Sequence, residues 1–429
     1  MDIVLFEDAG FADLLPLTFW RATFELRCGC GSLLDHARAR YPNARFTLFT
    51  RPELADVVMA RTSLPVNTAP QSDTLLLING RLLLREPLPD TTDSGVCRAG
   101  DTVLWAVVHG PAARMLNADA CLDPKKLSAV LSSLPRTRPA SDYPTAITYP
   151  WDLINNNADM IVHAWRRLSV RGIEGQVYDG AHIVEPQNVC IGRGSRIKPS
   201  VVLDAEDGPI VIGEHVTIQP NATVLGPCFI GDGSLIQTGA SLRGGTSIGR
   251  VCKIGGEIEG SILHGYSNKQ HDGFLGHAYV AEHCNLAADT VNSDLKNTYG
   301  PVRVPINGVC VDSGQMFVGV TLGDHAKTGI GQLFPTGSVV GFASSVATSG
   351  LAPKFVPSFR WLTDETNEPY DVERCLAVAR TVMARRRLQM SEAEERLFRR
   401  LPAIAKHYER VLPETELPTF ADVPASGRG

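Results

Sequence analysis

The amino-acid sequence predicts a mixed α/β head, then a parallel β-helix of hexapeptide repeats, then C-terminal helices. Three observations lead there. Ile212, Ile218, Val224, Ile230, Ile236, Leu242, Ile248 and Ile254 recur every six residues without a slip. Four positions after each stands Val216, Ala222, Cys228, Ser234, Ala240, Thr246, Cys252 or Ile258, nearly all small. Upstream of this repeat, strand-like apolar runs alternate with helical or loop segments. A period of six fits neither an amphipathic helix nor an alternating strand. It fits a coil whose six-residue units are its flat sides, with the aliphatic residue inside and the small residue at the corner.

The elements follow in order. In the head, residues 1–150, Ile3–Phe6, Thr74–Ile78 and Thr102–Val108 read as strands and Ser32–Arg40 as a helix. A linker, 151–185, opens with a helix from Trp151 to Leu168, with Asp152 near its start and Arg166 and Arg167 near its end. The coil, 186–360, begins at Ile191 and Ile197 and skips three residues near Asp204–Gly208. It resumes in a shifted frame at Phe274, Val280 and Leu286, and again at Met316, Leu322, Thr328, Phe334 and Val340. The frame breaks near 260–272 and 293–315 read as loops leaving the coil, where chemistry tends to sit. C-terminal helices, 361–412, run from Val372 to Leu388 and from the capping box Ser391–Glu394 to about Leu401. Their arginine runs read as solvated faces. The Pro-rich end, 413–429, reads as a flexible tail.

Composition limits the function. The chain has 429 residues and a formal net charge of −5, so no basic field points to nucleic acid. No apolar run is long enough for a membrane span, and the first residues lack a secretory signal pattern. Ten scattered cysteines show no metal-type spacing and suit a reducing cytoplasm.

The stretch YSNKQHDGFLGHAYVAEHCN, 266–285, holds His271, His277 and His283. Three imidazoles suggest a metal site. Residues six apart lie on successive sides of a coil, however, so they do not readily converge within one chain, and no metal site is expected. His277 and His283 are expected to face outward, where they could meet a neighbouring subunit.

Six segments carry a family resemblance over roughly residues 1–390: LLPLTFWRATFELRCG (14–29), LLLINGRLLL (75–84), YPWDL (149–153), YSNKQHDGFLGH (266–277), NSDLKNTYG (292–300) and PKFVPSFRW (353–361). With the order of head and coil, they resemble the GlmU-like bifunctional family, in particular its alternative bacterial branch. The resemblance implies a reduced, Rossmann-like nucleotidyltransferase head and a left-handed β-helix that transfers acetyl groups. It further implies a cytoplasmic homotrimer acting in UDP-N-acetylglucosamine biosynthesis on amino-sugar phosphate and nucleoside triphosphate. Acetyl-CoA would be the co-substrate, and Mg²⁺ would serve an active head.

The resemblance also assigns residues. K-Q-H-D-G-F-L-G resembles the family's K-x-G-H-x-x-Y-L-G, which makes His271 the general base that deprotonates the attacking amine. An imidazole titrates near neutral pH and suits that task; taken alone, the residue would read as a solvated loop histidine. Phe274 falls at the aromatic sugar contact, although it also occupies an aliphatic position of its frame and can read as core. Asn285, Asn292 and Lys296 fall at further substrate contacts. Arg243 matches the arginine that clamps the sugar phosphate, or it is a plain surface arginine. Ala288, Val320 and Ser338 fall at CoA contacts made mostly through main chain, and Lys354 or Arg360 could meet the CoA phosphates. One departure matters: Glu257–Glu259 stands where the family has a phosphate-binding lysine, which puts glucosamine 1-phosphate as the acceptor in question.

The head departs further. The family's G-x-G-T-R phosphate loop is reduced to Gly10 in EDAGFADLLPLT, and Arg81 replaces the expected metal-binding aspartate. Arg21, Arg27 and Arg81 are the cations that could form a substitute nucleotide site. Alternatives stay open: a nucleotidyltransferase whose coil only oligomerises or regulates, a non-enzymatic trimeric scaffold, or a metal-dependent coil enzyme.

Overall fold

The computed structural model describes residues 2–70, 72–88, 93–137, 145–168 and 172–409. The region 413–429 lies outside them.

The head is built on a six-stranded sheet ordered Arg45–Phe49, Asp2–Phe6, Thr74–Asn79, Thr102–His109, Gly95–Ala99 and Arg136–Thr137. The first three strands are parallel, as α/β crossovers require, and Thr102–His109 runs against them. Its apolar strands are buried on both faces, the signature of a sheet covered on both sides. The helix Leu33–Arg40 starts where Ser32 accepts from the Asp35 N–H and Asp35 accepts from the Ser32 N–H. The linker forms two helices, Pro150–Asn155 and Asn157–Arg167, rather than one. The break brings the buried Asn157 to the joint: its Oδ1 accepts from Gly29 N (2.6 Å) and Ser247 Oγ (3.0 Å), and its Nδ2 donates to the Gly245 carbonyl. One linker amide thus bonds both head and coil.

From Gln176 the chain winds into a left-handed β-helix with three long sheets. The interior columns are those of the six-residue period. Ile212, Ile230, Ile248, Leu263, Val280, Leu322 and Val340 stack in register on one side, and Ile197, Ile218, Ile236 and Ile254 on the next. All are buried. Each contributes on the order of 2 kcal/mol through burial, so the stack is what makes the coil rigid.

Four details differ from expectation. The break near 260–272 is not an excursion: the chain shortens two corners and stays in the coil, which puts His271 at a corner between Lys269 and Phe274. Leu275, not Phe274, fills the interior there, because Leu275 pairs with Ile258 while Phe274 pairs with outward Glu257. Met316 lies outside, at 46% exposure. The second C-terminal helix continues through Pro402 to Tyr408, since its apolar stripe still packs. The break at 293–315 is a true excursion carrying the hairpin Arg303–Ile306 and Val309–Asp312.

Polar residues interrupt the interior columns, Lys269 and Asn292 most prominently. Lys269 stands in the column between Ile254 and Leu286. Its ammonium donates to the carbonyls of Gly255 (3.2 Å), Asp272 (2.8 Å) and His271. Burial is the main cause that lowers its pKa to about 8, against the pull of Asp272 and Asp289. Asn292 follows Leu275 on the third side and pairs with Phe334.

The head and the linker cover one face of the coil, where Ile262, Tyr279 and Ala281 pack against Leu17, Leu26, Cys28 and Leu153. The C-terminal helices pack mainly against the head and reach a second face, with Arg386 donating to Asn268 Oδ1 (2.5 Å). The face built from Thr223–Leu225, Ser241–Leu242, Glu257–Glu259 and Phe274–Gly276 keeps Arg243, Glu257 and Glu259 in solvent.

Candidate functional site

The exposed coil face gathers part of the expected site. Arg243 lies on it, but its guanidinium is bridged to Glu257 (2.8 Å) and approaches Glu259 (3.8 Å). Two carboxylates around one guanidinium leave a negative surface, which disfavours phosphate and favours a protonated amine. The expected phosphate clamp is therefore not free. Phe274 turns outward beside it, and its ring edge closes over Gly276. His271 is exposed at the corner where this strand begins, with its carbonyl held by Lys269.

At the other end of the same strand stands a pair that the sequence reading did not pick out. His277 Nδ1 lies 2.8 Å from Asp294 Oδ2, and the ring stacks on Phe317 at 5.2 Å. Asp294 starts the excursion, and its carbonyl accepts from Val318 N. Gly276 makes room for this arrangement, because a Cβ there would collide with both Asp294 Oδ2 and the Phe274 ring.

Other expected contacts fall elsewhere. Asn292 is inside: its Oδ1 accepts from Gly276 N (3.0 Å) and its Nδ2 donates to Gly276 O (2.9 Å), so the amide is engaged and closed to a substrate. Asn285 is exposed on the sheet of Asn268, a different face from Arg243 and Phe274. Val320 and Ser338 have buried side chains, which leaves only main chain for a ligand, and the half-buried Ala288 already gives its carbonyl to Gly331 N. Lys296 lies within electrostatic reach of Lys354. Burial first, then the neighbouring charges of Lys296 and Arg303, lower the pKa of Lys354. None of these three cations is in a salt bridge among the described residues, so the group can receive anionic phosphate. Arg360 instead bonds Asn367 Oδ1 (2.5 Å).

The histidines do not converge. His283 is not outward-facing, because the head and the C-terminal helices cover it. It is buried between Tyr266 (5.2 Å) and His325 (4.9 Å), while His325 contacts Trp20 and Phe398. Burial lowers the pKa of His283 to about 4. Among the described residues, no group of three or more His, Cys, Asp or Glu is arranged to hold a metal ion.

The three arginines expected to replace the nucleotide site are separated. Arg21 is buried between head and coil, donating to Glu282 Oε2 (3.1 Å) and to Asp324. Burial alone would raise Glu282, yet Arg21 and then His264 hold its carboxyl well below the usual range. Arg27 donates to the carbonyls of His264 and Cys30. Arg81 lines a cleft of about 340 Å³ at the C-terminal end of the sheet, with Asp8, Gly10, Asp13, Asp101 and Thr148. Both oxygens of Asp8 hold its guanidinium (2.7 Å each), which lies flat on Gly10, where a Cβ would come within 2.5 Å. The guanidinium fills the place a phosphate loop would keep open. The donors fit Mg²⁺ poorly too, because Asp8 is already held by Arg81.

Sequence comparison adds the relatives. Residues 3–169 match the sugar nucleotidyl transferase family. The class defined by fold and match is thus a sugar nucleotidyl transferase-type head on a left-handed hexapeptide coil. The curated relatives are proteins named bifunctional protein GlmU. That of Synechococcus elongatus is 24% identical over 47% of this chain and 45% of its own length. That of Heliobacterium modesticaldum is 34% identical over 35% and 32%. That of Methanococcus aeolicus is 28% identical over 47% and 43%. These matches support a GlmU-like family assignment, and the chain spans less than half the length of these relatives. Among solved structures, LpxA from Acinetobacter baumannii is 14% identical over 51% of this chain and 76% of its own, with a TM-score of 0.20, too low to bear on the site.

Proposed function

We propose that the coil transfers an acyl group from CoA to the amine of an amino sugar, as a homotrimer in cytoplasmic nucleotide-sugar supply. The observation that carries the reading is the exposed coil face, which sets Phe274, the Arg243–carboxylate bridge and two imidazoles along one strand and its corners. Phe274 offers an apolar wall for a sugar ring. Glu257 and Glu259 attract the ammonium form of the acceptor and discourage a phosphate at that point. The cations Lys296, Arg303 and Lys354 are suited to the phosphates of the acyl donor. Because Arg243 is engaged, the acceptor is an amino sugar not gripped through a 1-phosphate on this face, which departs from the glucosamine 1-phosphate of the resemblance.

The head matches the sugar nucleotidyl transferase family and has a cleft, but Arg21, Arg27 and Arg81 are engaged in ion pairs or with carbonyls. Phosphoryl chemistry relies on free positive charge, so we read the head as a binding domain that does not turn over nucleotide. The test is release of free CoA from acetyl-CoA with glucosamine, glucosamine 1-phosphate and a nucleotide-linked amino sugar in parallel. Thiol release that requires an amine supports the reading. Absence of release with every acceptor would remove it, and pyrophosphate release from UTP or dTTP with a sugar 1-phosphate would restore an active head.

A further inference from the structure

We infer that His277, oriented by Asp294, is the general base of this acyl transfer, in place of His271; the inference rests on the acyl-transfer reading above. The geometry fixes the tautomer. Asp294 Oδ2 lies 2.8 Å from His277 Nδ1. A carboxylate only accepts, so Nδ1 carries the proton and donates, and the lone pair falls on Nε2. A carboxylate behind the ring also steadies the imidazolium once a proton arrives.

Two further contacts hold the ring. Phe317 stacks on one face with an interplanar angle of 28°. Gly260 lies at the Nε2 edge, where an added Cβ would stand 3.1 Å from the nitrogen, so only glycine leaves that edge uncrowded. The main chain is pinned as well: His277 N donates to Glu259 O (2.9 Å), and Gly319 N donates to His277 O (2.9 Å). Beside it, the Phe274 ring and Asp294 meet over Gly276. An aromatic ring and a carboxylate-bound imidazole thus stand side by side on this face. At the opposite corner, His271 is exposed, and its ring has no hydrogen-bond partner among the described residues. Nothing there selects which of its nitrogens keeps the proton.

The step balances with no further reactant. The lone pair of the neutral amine attacks the thioester carbonyl carbon. A C–N bond forms while the carbonyl π pair moves to oxygen. Nε2 of His277 removes a proton from the nitrogen. The oxyanion then collapses, the C–S bond breaks, and the sulfur leaves with its electron pair. The imidazolium returns the proton to sulfur, giving amide, CoA thiol and neutral His277.

The test compares H277Q, D294N and H271Q in the full chain, with thermal unfolding as a check on folding. General-base loss reduces kcat by about 10²–10⁴-fold. H277Q should fall in that range with KM for acetyl-CoA changed less than about threefold. D294N should lower kcat while leaving both KM values, because Asp294 acts through the ring. Nitrogen NMR of His277 should show the Nδ1–H form in the wild type and its loss in D294N, a signature that a merely structural aspartate would not produce. H271Q should lose at least tenfold less than H277Q. A loss in H271Q that equals or exceeds that of H277Q overturns the assignment and leaves acyl transfer standing. No thiol release by the wild type overturns both.

Discussion

Substituting Asn292 separates a structural amide from a substrate contact. Its side chain makes two hydrogen bonds to one residue, accepting from Gly276 N and donating to Gly276 O. Both partners are buried. In Asn292→Ala they lose these bonds, and a buried unsatisfied group costs about 1–3 kcal/mol. The sum is roughly 2–6 kcal/mol, larger than the loss of one typical net hydrogen bond, about 1 kcal/mol. Asn292→Asp keeps the acceptor for Gly276 N but removes the donor and adds a buried charge, so it should not rescue. Urea unfolding of the ligand-free protein, followed on the coil, reads the effect. A loss below about 0.5 kcal/mol in Asn292→Ala, with a raised KM for the acceptor, would refute the structural role and return this residue to the substrate site.

Acid should loosen the joint between head and coil. Burial lowers the pKa of His264 and His283 to about 4 in the folded chain, against about 6.5 when unfolded. The unfolded chain therefore binds more protons between those values, and stability is full above pH 6.5 and falls as pH drops towards 4. Each histidine contributes roughly 3 kcal/mol at most. Arg21, Glu282 and Glu25 surround His264. A double substitution to glutamine should flatten the slope of melting temperature against pH in that window; an unchanged slope would contradict the assignment. Separately, Lys354→Glu should raise the KM for acetyl-CoA by about tenfold, or ~1.4 kcal/mol, and leave the KM for the acceptor; equal effects on both would place the cation group elsewhere.

The coil was legible because a period of six admits few other structures, and Ile212–Ile254 follow it without interruption. Frame shifts were harder. A corner shortened by one residue between Leu275 and Val280 moves Phe274 outward, and no composition change marks it. Lys269 and Asn292 escaped notice as interior residues because polarity argues against burial unless local carbonyls or amides are known. The head arginines misled for another reason. The partners of Arg21 are Glu282 and Asp324, more than 260 residues away, and pairing at that distance leaves no sequence pattern. The His277–Asp294 pair did leave one. Seventeen residues is a single coil turn shortened by one, the same separation as Asn268 and Asn285, so counting by turns rather than by sides would have found it.

The measurement that bears most directly on the account is free CoA release from acetyl-CoA by the purified chain, with glucosamine and glucosamine 1-phosphate compared at equal concentration. The account predicts amine-dependent release that does not require the 1-phosphate and that collapses in H277Q. Release confined to glucosamine 1-phosphate and abolished by Arg243→Ala would contradict the charge reading of the face, and no release with either amine or with a nucleotide-linked amino sugar would contradict acyl transfer itself.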